Sequence, residues 1–139
     1  MLGEGDEMNE FGQEPRLGAF PIHRDSRGSL GVVEFTPLPF HPRRLFWIHE
    51  VANGETRANH GHRVCEQLVF VQQGSVKGYT IDAGGGRFDF ELSLGDWVYV
   101  PIRHWLQINS FDDGTVVGVF ASHPFDAEEY IDDPSDLRS

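Results

Sequence analysis

Cysteine is almost absent from this sequence, which has only Cys65 among its 139 residues. No disulfide framework can form within the chain, so a reducing compartment is indicated and a cytoplasmic location is expected. No run of about eighteen apolar residues is present, which argues against a transmembrane helix. The opening MLGEGDEMNEFGQEP is acidic and lacks the basic and apolar regions of a signal peptide. We therefore predict a disordered lead over residues 1–15 and one domain over residues 16–139.

Basic residues are scarce as well. Eleven Lys and Arg stand against 22 Asp and Glu, which gives a net charge of −11. A surface this acidic repels phosphate backbones and anionic lipid, so neither nucleic acid nor a membrane is expected as a partner. Only a local group of arginines is expected to bind an anion.

Long helical patterns are also missing. Short apolar segments such as SLGVVEF, RRLFWIHEV, CEQLVFVQ and GTVVGVFAS recur about every 8–12 residues between turns. Aromatic residues and glycines are plentiful, which favours β structure. Only the tail FDAEEYIDDPSDL has the acidic character of a helix start or surface turn. The sequence predicts nine or ten strands in one all-β sandwich or barrel, with no internal repeat.

The stretch RANHGHRVCEQ, residues 57–67, contains the side chains best suited to chemistry. Because side chains alternate along a strand, His60, His62 and Glu66 are expected on one face, with Val64 between them. Three interpretations are open: a metal site, proton transfer to and from a substrate, or polar residues of a sheet. Two histidines and one carboxylate are sufficient for non-haem Fe(II).

The surroundings of this stretch resemble the first motif of the cupin barrels. Gly54 precedes His60 by six residues, and Gly74 follows the next apolar segment. In cupins the two imidazoles and the carboxylate point into the barrel and commonly hold a metal. The resemblance implies a cupin-like double-stranded β-helix, also called a jelly-roll barrel.

A second cupin motif is present but incomplete. Gly95 and Pro101 have its spacing, whereas the position of its histidine is Leu106 and His104 comes two residues early. The fourth metal ligand is therefore missing. This absence favours proton transfer over metal binding.

A closer resemblance covers about residues 20–137. Three segments resemble the WxcM-like sugar ketoisomerases, which are small cupins acting on dTDP-4-keto-6-deoxyglucose. The segments are FPIHRDSRGSLGVVEF, RANHGHRVCEQLVFV and FDAEEYIDDPSDL. The nucleotide dTDP is also written TDP. The family patterns are D-x-R-G-S-L, R-G-x-H-A-H-x-x-x-E-Q and Y-D-x-x-D-Y-I. The matching residues are Asp25, Arg27, Gly28, Ser29 and Leu30, then Arg57, His60, His62, Glu66 and Gln67, then Phe125, Asp126, Tyr130 and Ile131.

The resemblance implies a homodimeric, metal-independent 3,4-ketoisomerase of deoxysugar biosynthesis that needs no cofactor. Two alternatives are retained. One is a metal-dependent cupin oxygenase using His60, His62 and Glu66, and the other is a cupin that binds a nucleotide sugar without converting it.

Moving a carbonyl from C4 to C3 requires removal of the C3 proton, an enediol, and delivery of a proton to C4. A histidine titrates near neutral pH and can perform either proton transfer. We assign His62 as the base at C3 and His60 as its polarising or proton-shuttling partner, about 7 Å away as expected for alternate residues of a strand. Glu66 is expected to orient an imidazole.

The nucleotide requires positive charge and a stacking surface. Arg27, Arg44 and Arg57 are candidates for the diphosphate, because guanidinium groups match phosphate oxygens. A surface salt bridge is an equally good interpretation of each arginine. The complete set of substrate-binding candidates is Arg57, Arg27, Arg44, Glu66, Gln67, Trp47, Tyr99 and Trp105. The three aromatic residues are candidates for stacking on thymine, although each is also suited to the core.

Several positions depart from the family. The family's W-H-E-M is Trp105-Leu106-Gln107-Ile108, its paired tyrosines are Phe46-Trp47, its R-G is Arg57-Ala58, and its Y-I-R is Tyr130-Ile131-Asp132. These changes make the site less polar and replace a positive group with a negative one. They leave open which nucleotide sugar binds and whether it is converted.

Overall fold

The computed structural model describes residues 12–139 and consists almost entirely of antiparallel β-strands. No α-helix occurs within that range; the acidic tail forms two single-turn 3₁₀ helices, Ala127–Glu129 and Pro134–Asp136. The strands are β1 Arg16–Ala19, β2 Ile22–Asp25, β3 Gly28–Gly31, β4 Arg44–His49, β5 Arg57–His62, β6 Gln67–Gln73, β7 Ser75–Ile81, β8 Arg87–Ser93, β9 Asp96–Val100, β10 Trp105–Phe111, β11 Val116–Ala121 and β12 Tyr130–Ile131.

The predicted all-β class is confirmed, but the described chain has twelve strands instead of nine or ten. One reason is that the segment around DSRG forms a hairpin of two short strands, β2 and β3. Another is that the tail contributes β12, which pairs with β5. The predicted lead over residues 1–15 lies largely outside the described residues.

Two five-stranded sheets form the barrel. Their strand orders are β1-β9-β6-β11-β4 and β12-β5-β10-β7-β8. The inner core lies between them and contains β-branched and aromatic residues of both sheets, such as Val69, Val119, Phe90 and Ile108. Alternation along each strand directs these side chains inward.

The first sheet is covered on its outer face as well. A second apolar cluster there includes Leu38, Phe40, Leu68 and Tyr99. Because this outer cluster buries the second face of the sheet, β6 is apolar on both faces, as its LVFV sequence predicts. Side chains of the first sheet consequently belong to two separate environments, and only those of the inner face reach the barrel interior.

A bulge in β5 sets the position of the histidines. Ala58 and Asn59 have φ values of 70° and 61°, which non-glycine residues seldom adopt. The pairing of β5 with β10 shifts at the same point, so that His60 lies opposite Leu106 and Ala58 opposite Gln107. Bulges of this kind redirect side chains and are common beside active sites.

Within residues 12–139, no helix has the length and apolar character needed to cross a bilayer.

We expect Gly78→Ala to destabilise the second sheet. A Cβ at this position in β7 would collide with the carbonyl oxygen of Gln107 on β10 and with the ring of Phe90 on β8. The backbone oxygen can withdraw only by disturbing the β7–β10 pairing. The free energy of unfolding should fall by about 1–3 kcal/mol, measured by chemical denaturation.

The control is Gly84→Ala in the β7–β8 turn, where the nearest atom to a new Cβ is Asp82 Oδ1 at 3.4 Å. Equal effects of the two substitutions would contradict the proposed clash.

Candidate active site

His60 and His62 converge into one cluster near the end of β5. Their ring centroids are 4.8 Å apart and the rings are nearly perpendicular. This separation is shorter than the roughly 7 Å expected for alternate residues of a strand. Tyr130 on β12 lies opposite His62 in the strand pairing and packs against both rings, with centroid distances of 5.0 Å and 4.4 Å. Strand pairing and ring packing therefore fix the two imidazoles.

Glu129 is the carboxylate that holds His62. His62 is 4% exposed, and its Nδ1 is hydrogen-bonded to Glu129 Oε2. The other carboxylate oxygen, Oε1, accepts hydrogen bonds from the backbone N–H groups of Val64 (3.2 Å) and Cys65 (3.0 Å). Three donors thus hold the carboxylate in one orientation.

These contacts determine the tautomer of His62. Burial alone would raise the pKa of Glu129, but the hydrogen bond and charge of His62, together with the two backbone N–H groups, lower it. The ionised carboxylate can only accept, so His62 Nδ1 donates and Nε2 carries the lone pair. Burial lowers the pKa of His62, with Glu129 opposing and the positive charge of Arg44 adding to the decrease. The neutral imidazole therefore has its basic nitrogen free.

His60 is a neutral imidazole at physiological pH. Burial, followed by the charge that His62 has when protonated, lowers its pKa to about 4. Two ring nitrogens, His60 Nδ1 and His62 Nε2, are buried without a hydrogen-bond partner in the described part of the chain. Buried polar atoms without partners are uncommon and often mark functional positions. The site therefore presents two uncharged ring nitrogens that lack partners.

A cavity of about 50 Å³ adjoins His60 inside the barrel. Its walls are mainly apolar, with Arg57 and Gln67 as the other polar members. The lining residues are Phe46, Ile48, Arg57, Ala58, His60, Gln67, Leu106, Ile108 and Val119. A larger groove of about 540 Å³ adjoins the β2–β3 hairpin, but no titratable side chain lines it, so we place the chemistry at the histidines.

Arg44 is a cation whose charge acts on His62. It starts β4 and shares the inward face of that strand with Phe46 and Ile48. Its guanidinium carbon is 5.3 Å from the centroid of the Phe46 ring and 5.9 Å from that of Phe125. Its Nη2 lies 4.0 Å from Cys65 Sγ. Arg44 is thus part of the histidine site.

The expectation that Glu66 orients one of the two imidazoles is wrong. The chain bends at residues 63–64, so β5 ends at His62 and Glu66 precedes β6 in the other sheet. Glu66 accepts a hydrogen bond from the hydroxyl of Tyr99, a residue of the outer cluster. Burial raises the pKa of Glu66. The set of His60, His62 and Glu66 required for a metal-dependent oxygenase is therefore not assembled.

One other group of potential ligands comes together within residues 12–139. The donor atoms of His62, Cys65 and Glu129 lie within 4.8 Å of one another. Hydrogen bonds from His62, Val64 and Cys65 already engage both oxygens of Glu129. The arrangement therefore fits the fixing of an imidazole better than the binding of a metal ion.

The predicted stacking residues lie away from the barrel interior. Trp47 is 63% exposed on the outer face of β4, and Tyr99 is fully buried in the outer cluster. Trp105 lies on the face of β10 opposite to that of Leu106. The aromatic rings beside the histidines are those of Tyr130 and, next to it at 5.7 Å, Phe125.

The predicted arginines are in three different places. Arg44 lies at the histidines, and Arg57 at the start of β5 adjoins the cavity beside His60. Arg27 is highly exposed and forms an ion pair with Asp25 within the β2–β3 hairpin. Gln67 faces the same cavity as His60. The predicted pocket residues that meet around the imidazoles are thus Arg44, Arg57 and Gln67.

Glu129 was not among the residues singled out by the sequence, although a signal for it existed. In the pattern Y-D-x-x-D-Y-I, Glu129 is the carboxylate immediately before Tyr130. The strand pairing of Tyr130 with His62 brings this carboxylate to the imidazole. Its role follows from a contact between residues 67 positions apart.

Comparison with known proteins identifies the family of this chain. The family model described as WxcM-like, C-terminal (FdtA) matches residues 13–139. The TDP-4-oxo-6-deoxy-alpha-D-glucose-3,4-oxoisomerase of Aneurinibacillus thermoaerophilus is 31% identical over 111 residues, which cover 77% of this chain and 78% of that protein.

Two solved structures have the same architecture. A histidine-to-asparagine mutant of the 3,4-ketoisomerase QdtA from Thermoanaerobacterium thermosaccharolyticum, in complex with TDP-4-keto-6-deoxyglucose, has a TM-score of 0.82 and 26% identity, covering 88% of this chain and 90% of that one. A 3,4-ketoisomerase from Helicobacter canadensis has a TM-score of 0.81 and 24% identity, covering 90% and 95%. The predicted cupin-like barrel is confirmed. From the family match and the 31% identical relative, the chain belongs to the FdtA family of WxcM-like proteins.

Proposed function

We propose that this protein is a nucleotide-sugar 3,4-ketoisomerase that acts on a TDP-linked 4-keto-6-deoxyhexose in deoxysugar biosynthesis. The observation that carries the proposal is the buried, neutral His62, whose Nδ1 is held by Glu129 while Nε2 has no partner among the described residues. A general base in that state accepts a proton without first losing one. The names of the relatives support the same reaction.

In the proposed reaction His62 Nε2 accepts the proton from C3. The electron pair of the C3–H bond becomes the C3–C4 double bond, and the pair of the C4 carbonyl moves to O4. A proton then passes from O3 to O4, the C3 carbonyl forms, and a proton from the His62 imidazolium is delivered to C4. The bonds broken and formed balance within the substrate and the two imidazoles, and the proton carried by the His62 imidazolium exchanges in part with solvent before it is delivered.

His60 is the shuttle in this scheme. Its pKa of about 4 keeps it neutral near pH 7. A neutral imidazole has one donor and one acceptor nitrogen, and can accept the O3 proton on one nitrogen while donating from the other to O4. Its position against His62, with 4.8 Å between ring centroids, suits two adjacent carbons of one sugar.

Binding of the nucleotide is assigned to residues around the cavity. Arg57 adjoins it beside His60 and is our choice for the diphosphate, with Gln67 as a hydrogen-bonding partner of the sugar. The free thiol of Cys65 is compatible with a reducing compartment, in keeping with the proposed cytoplasmic location.

Replacing the base should abolish turnover. With TDP-4-keto-6-deoxyglucose in D₂O, the native protein should exchange the C3 proton and form a 3-keto sugar, both observed by NMR. His62→Asn should lower kcat by about 10²–10⁴-fold, because no general base remains.

His49→Asn on the outer face of β4 makes the same exchange at an exposed position and should leave the rate unchanged. A native protein that binds this substrate without exchange or conversion would instead be a non-catalytic binding module.

Glu129→Gln should impair the base without removing it. Gln retains an oxygen for the backbone N–H groups of Val64 and Cys65, but then turns its amide N–H₂ toward His62 Nδ1. The imidazole must accept there, so its proton moves to Nε2 and blocks the base. We expect kcat to fall by about 10²-fold or more, as when a triad carboxylate is replaced.

The pH profile distinguishes this effect from a loss of packing. Burial lowers the pKa of His62, so the acidic decline of native kcat/KM should lie below pH 6.5. Glu129 raises that pKa, so the acidic decline of the activity that remains in Glu129→Gln should move to still lower pH. Glu128→Gln, its exposed neighbour, is the matched control and should keep the native profile. An unshifted profile with native kcat in Glu129→Gln would contradict the role of Glu129.

We further propose that the enzyme is a homodimer that uses the outer face of β4. This strand is at the edge of the first sheet, and Leu45 and Trp47 on its outer face are 52% and 63% exposed. Exposed apolar residues on an edge strand favour association with a second copy.

Trp47→Glu should weaken the dimer by about tenfold or more, because buried Trp residues dominate the binding energy of interfaces. Molar mass measured by light scattering across a dilution series tests this, with Leu30→Glu on β3, an equally exposed apolar residue outside β4, as control. A monomeric native protein, or an unchanged dimer in Trp47→Glu, would contradict it.

A further inference from the structure

Arg44 introduces a positive charge into the site, yet the proton transfers described above give it no role. It is half-buried on the inward face of β4, where Phe46 and Ile48 pack against the core. A buried cation normally has a counter-ion. No carboxylate within residues 12–139 forms an ion pair with Arg44.

The guanidinium lies within electrostatic range of the base. Arg44 Nη2 is 4.0 Å from Cys65 Sγ, and that sulfur is within 4.8 Å of a ring nitrogen of His62. The charge of Arg44 also contributes, after burial, to the lowered pKa of His62. A group that affects the imidazolium at this range also acts on charge in a substrate held against that imidazole.

Its orientation is fixed by packing. The Phe46 and Phe125 rings hold the guanidinium at 5.3 Å and 5.9 Å from their centroids, in the range of cation–π interactions. Arg44 Nε is buried and has no hydrogen-bond acceptor within the described chain. A fixed cation with an unused buried donor is suited to an anion that exists only during the reaction.

Such an anion forms when the C3 proton leaves, since the electron pair of the C4 carbonyl is then located on O4. We propose that Arg44 is a catalytic residue whose guanidinium binds O4 and stabilises the negative charge of the enediolate. The inference rests on the proposed ketoisomerase function. It assigns Arg44 to the reacting side of the sugar and differs from the diphosphate role expected from the sequence.

The position of Arg57 is consistent with separate roles for the two arginines, one at the reacting carbons and the other at the diphosphate. The diphosphate is attached to C1, across the ring from C4, so one arginine beside the base does not also serve the phosphates. Arg57 is at the opposite end of β5 from His62. We assign Arg57 to substrate affinity and Arg44 to the rate of the chemical step.

The test compares Arg44→Met and Arg44→Lys with Arg43→Met, at the exposed residue just before β4. Arg44→Met should lower kcat by about 10²-fold or more, the usual loss of a donor to a developing oxyanion. KM and the dissociation constant of TDP should stay within about threefold of native. Arg44→Lys keeps the charge but loses the planar guanidinium, so its kcat should lie between that of the native protein and that of Arg44→Met. Arg43→Met should behave as native.

A pH profile separates loss of charge from loss of packing when two variants are compared: Arg44→Lys disturbs the packing but keeps the charge, and should leave the acidic decline of kcat/KM at its native position. Without the Arg44 charge the pKa of His62 rises, so the acidic decline of kcat/KM should move upward in Arg44→Met. Glu129→Gln is expected to move it downward. Folding of each variant is checked by circular dichroism; if Arg44→Met does not fold, Arg44→Gln replaces it as the uncharged variant for both kcat and the pH profile.

The outcomes separate the inference from the function beneath it. A native protein that leaves TDP-4-keto-6-deoxyglucose unchanged overturns both. An active native protein whose Arg44→Met variant keeps kcat within threefold but loses affinity for TDP overturns the inference alone and restores Arg44 to the diphosphate.

Discussion

The proposed chemistry of this protein depends on one buried hydrogen bond, between His62 and Glu129. Burying a carboxylate is costly unless donors compensate for the lost water. The N–H groups of Val64 and Cys65 provide two of these donors, and they are positioned by the same bend that ends β5. The pairing of β12 with β5 then brings Glu129 to the imidazole. Fold and tautomer are thus coupled, because any change that separates β12 from β5 also removes the group that fixes the proton on His62 Nδ1.

Two opposite charges act on this imidazole. Burial is the main cause of its lowered pKa, Glu129 raises that pKa, and Arg44 lowers it. A base must be neutral before the reaction and stable as a cation during it. Glu129 stabilises the imidazolium, while Arg44 favours the neutral form and, in our proposal, the enediolate. The pair therefore lowers the energy of the separated charges without protonating the base in advance.

The sequence predicted what alternation and local spacing determine. His60 and His62 share a face because they belong to one strand, and the apolar character of β6 on both faces was evident from its four consecutive large residues. The prediction for Glu66 was wrong because β5 ends before it. The chain bends at residues 63–64, which include neither proline nor glycine. The carboxylate that instead orients the imidazole, Glu129, is 67 residues away from His62. Only the pairing of β5 with β12 places it there, and that register cannot be inferred from either segment alone.

The apolar residues opposite the histidines are compatible with catalysis. Leu106 pairs with His60, and Phe46 borders both the cavity and the Arg44 guanidinium. The proposed proton transfers need only the two imidazoles, so neither position has to provide a further acid or base. Apolar walls also exclude water, and the attraction between a guanidinium and an enediolate strengthens as the local dielectric falls. Loss of polar groups from this wall therefore shifts the stabilisation of charge onto Arg44, which makes the reaction more dependent on that single residue.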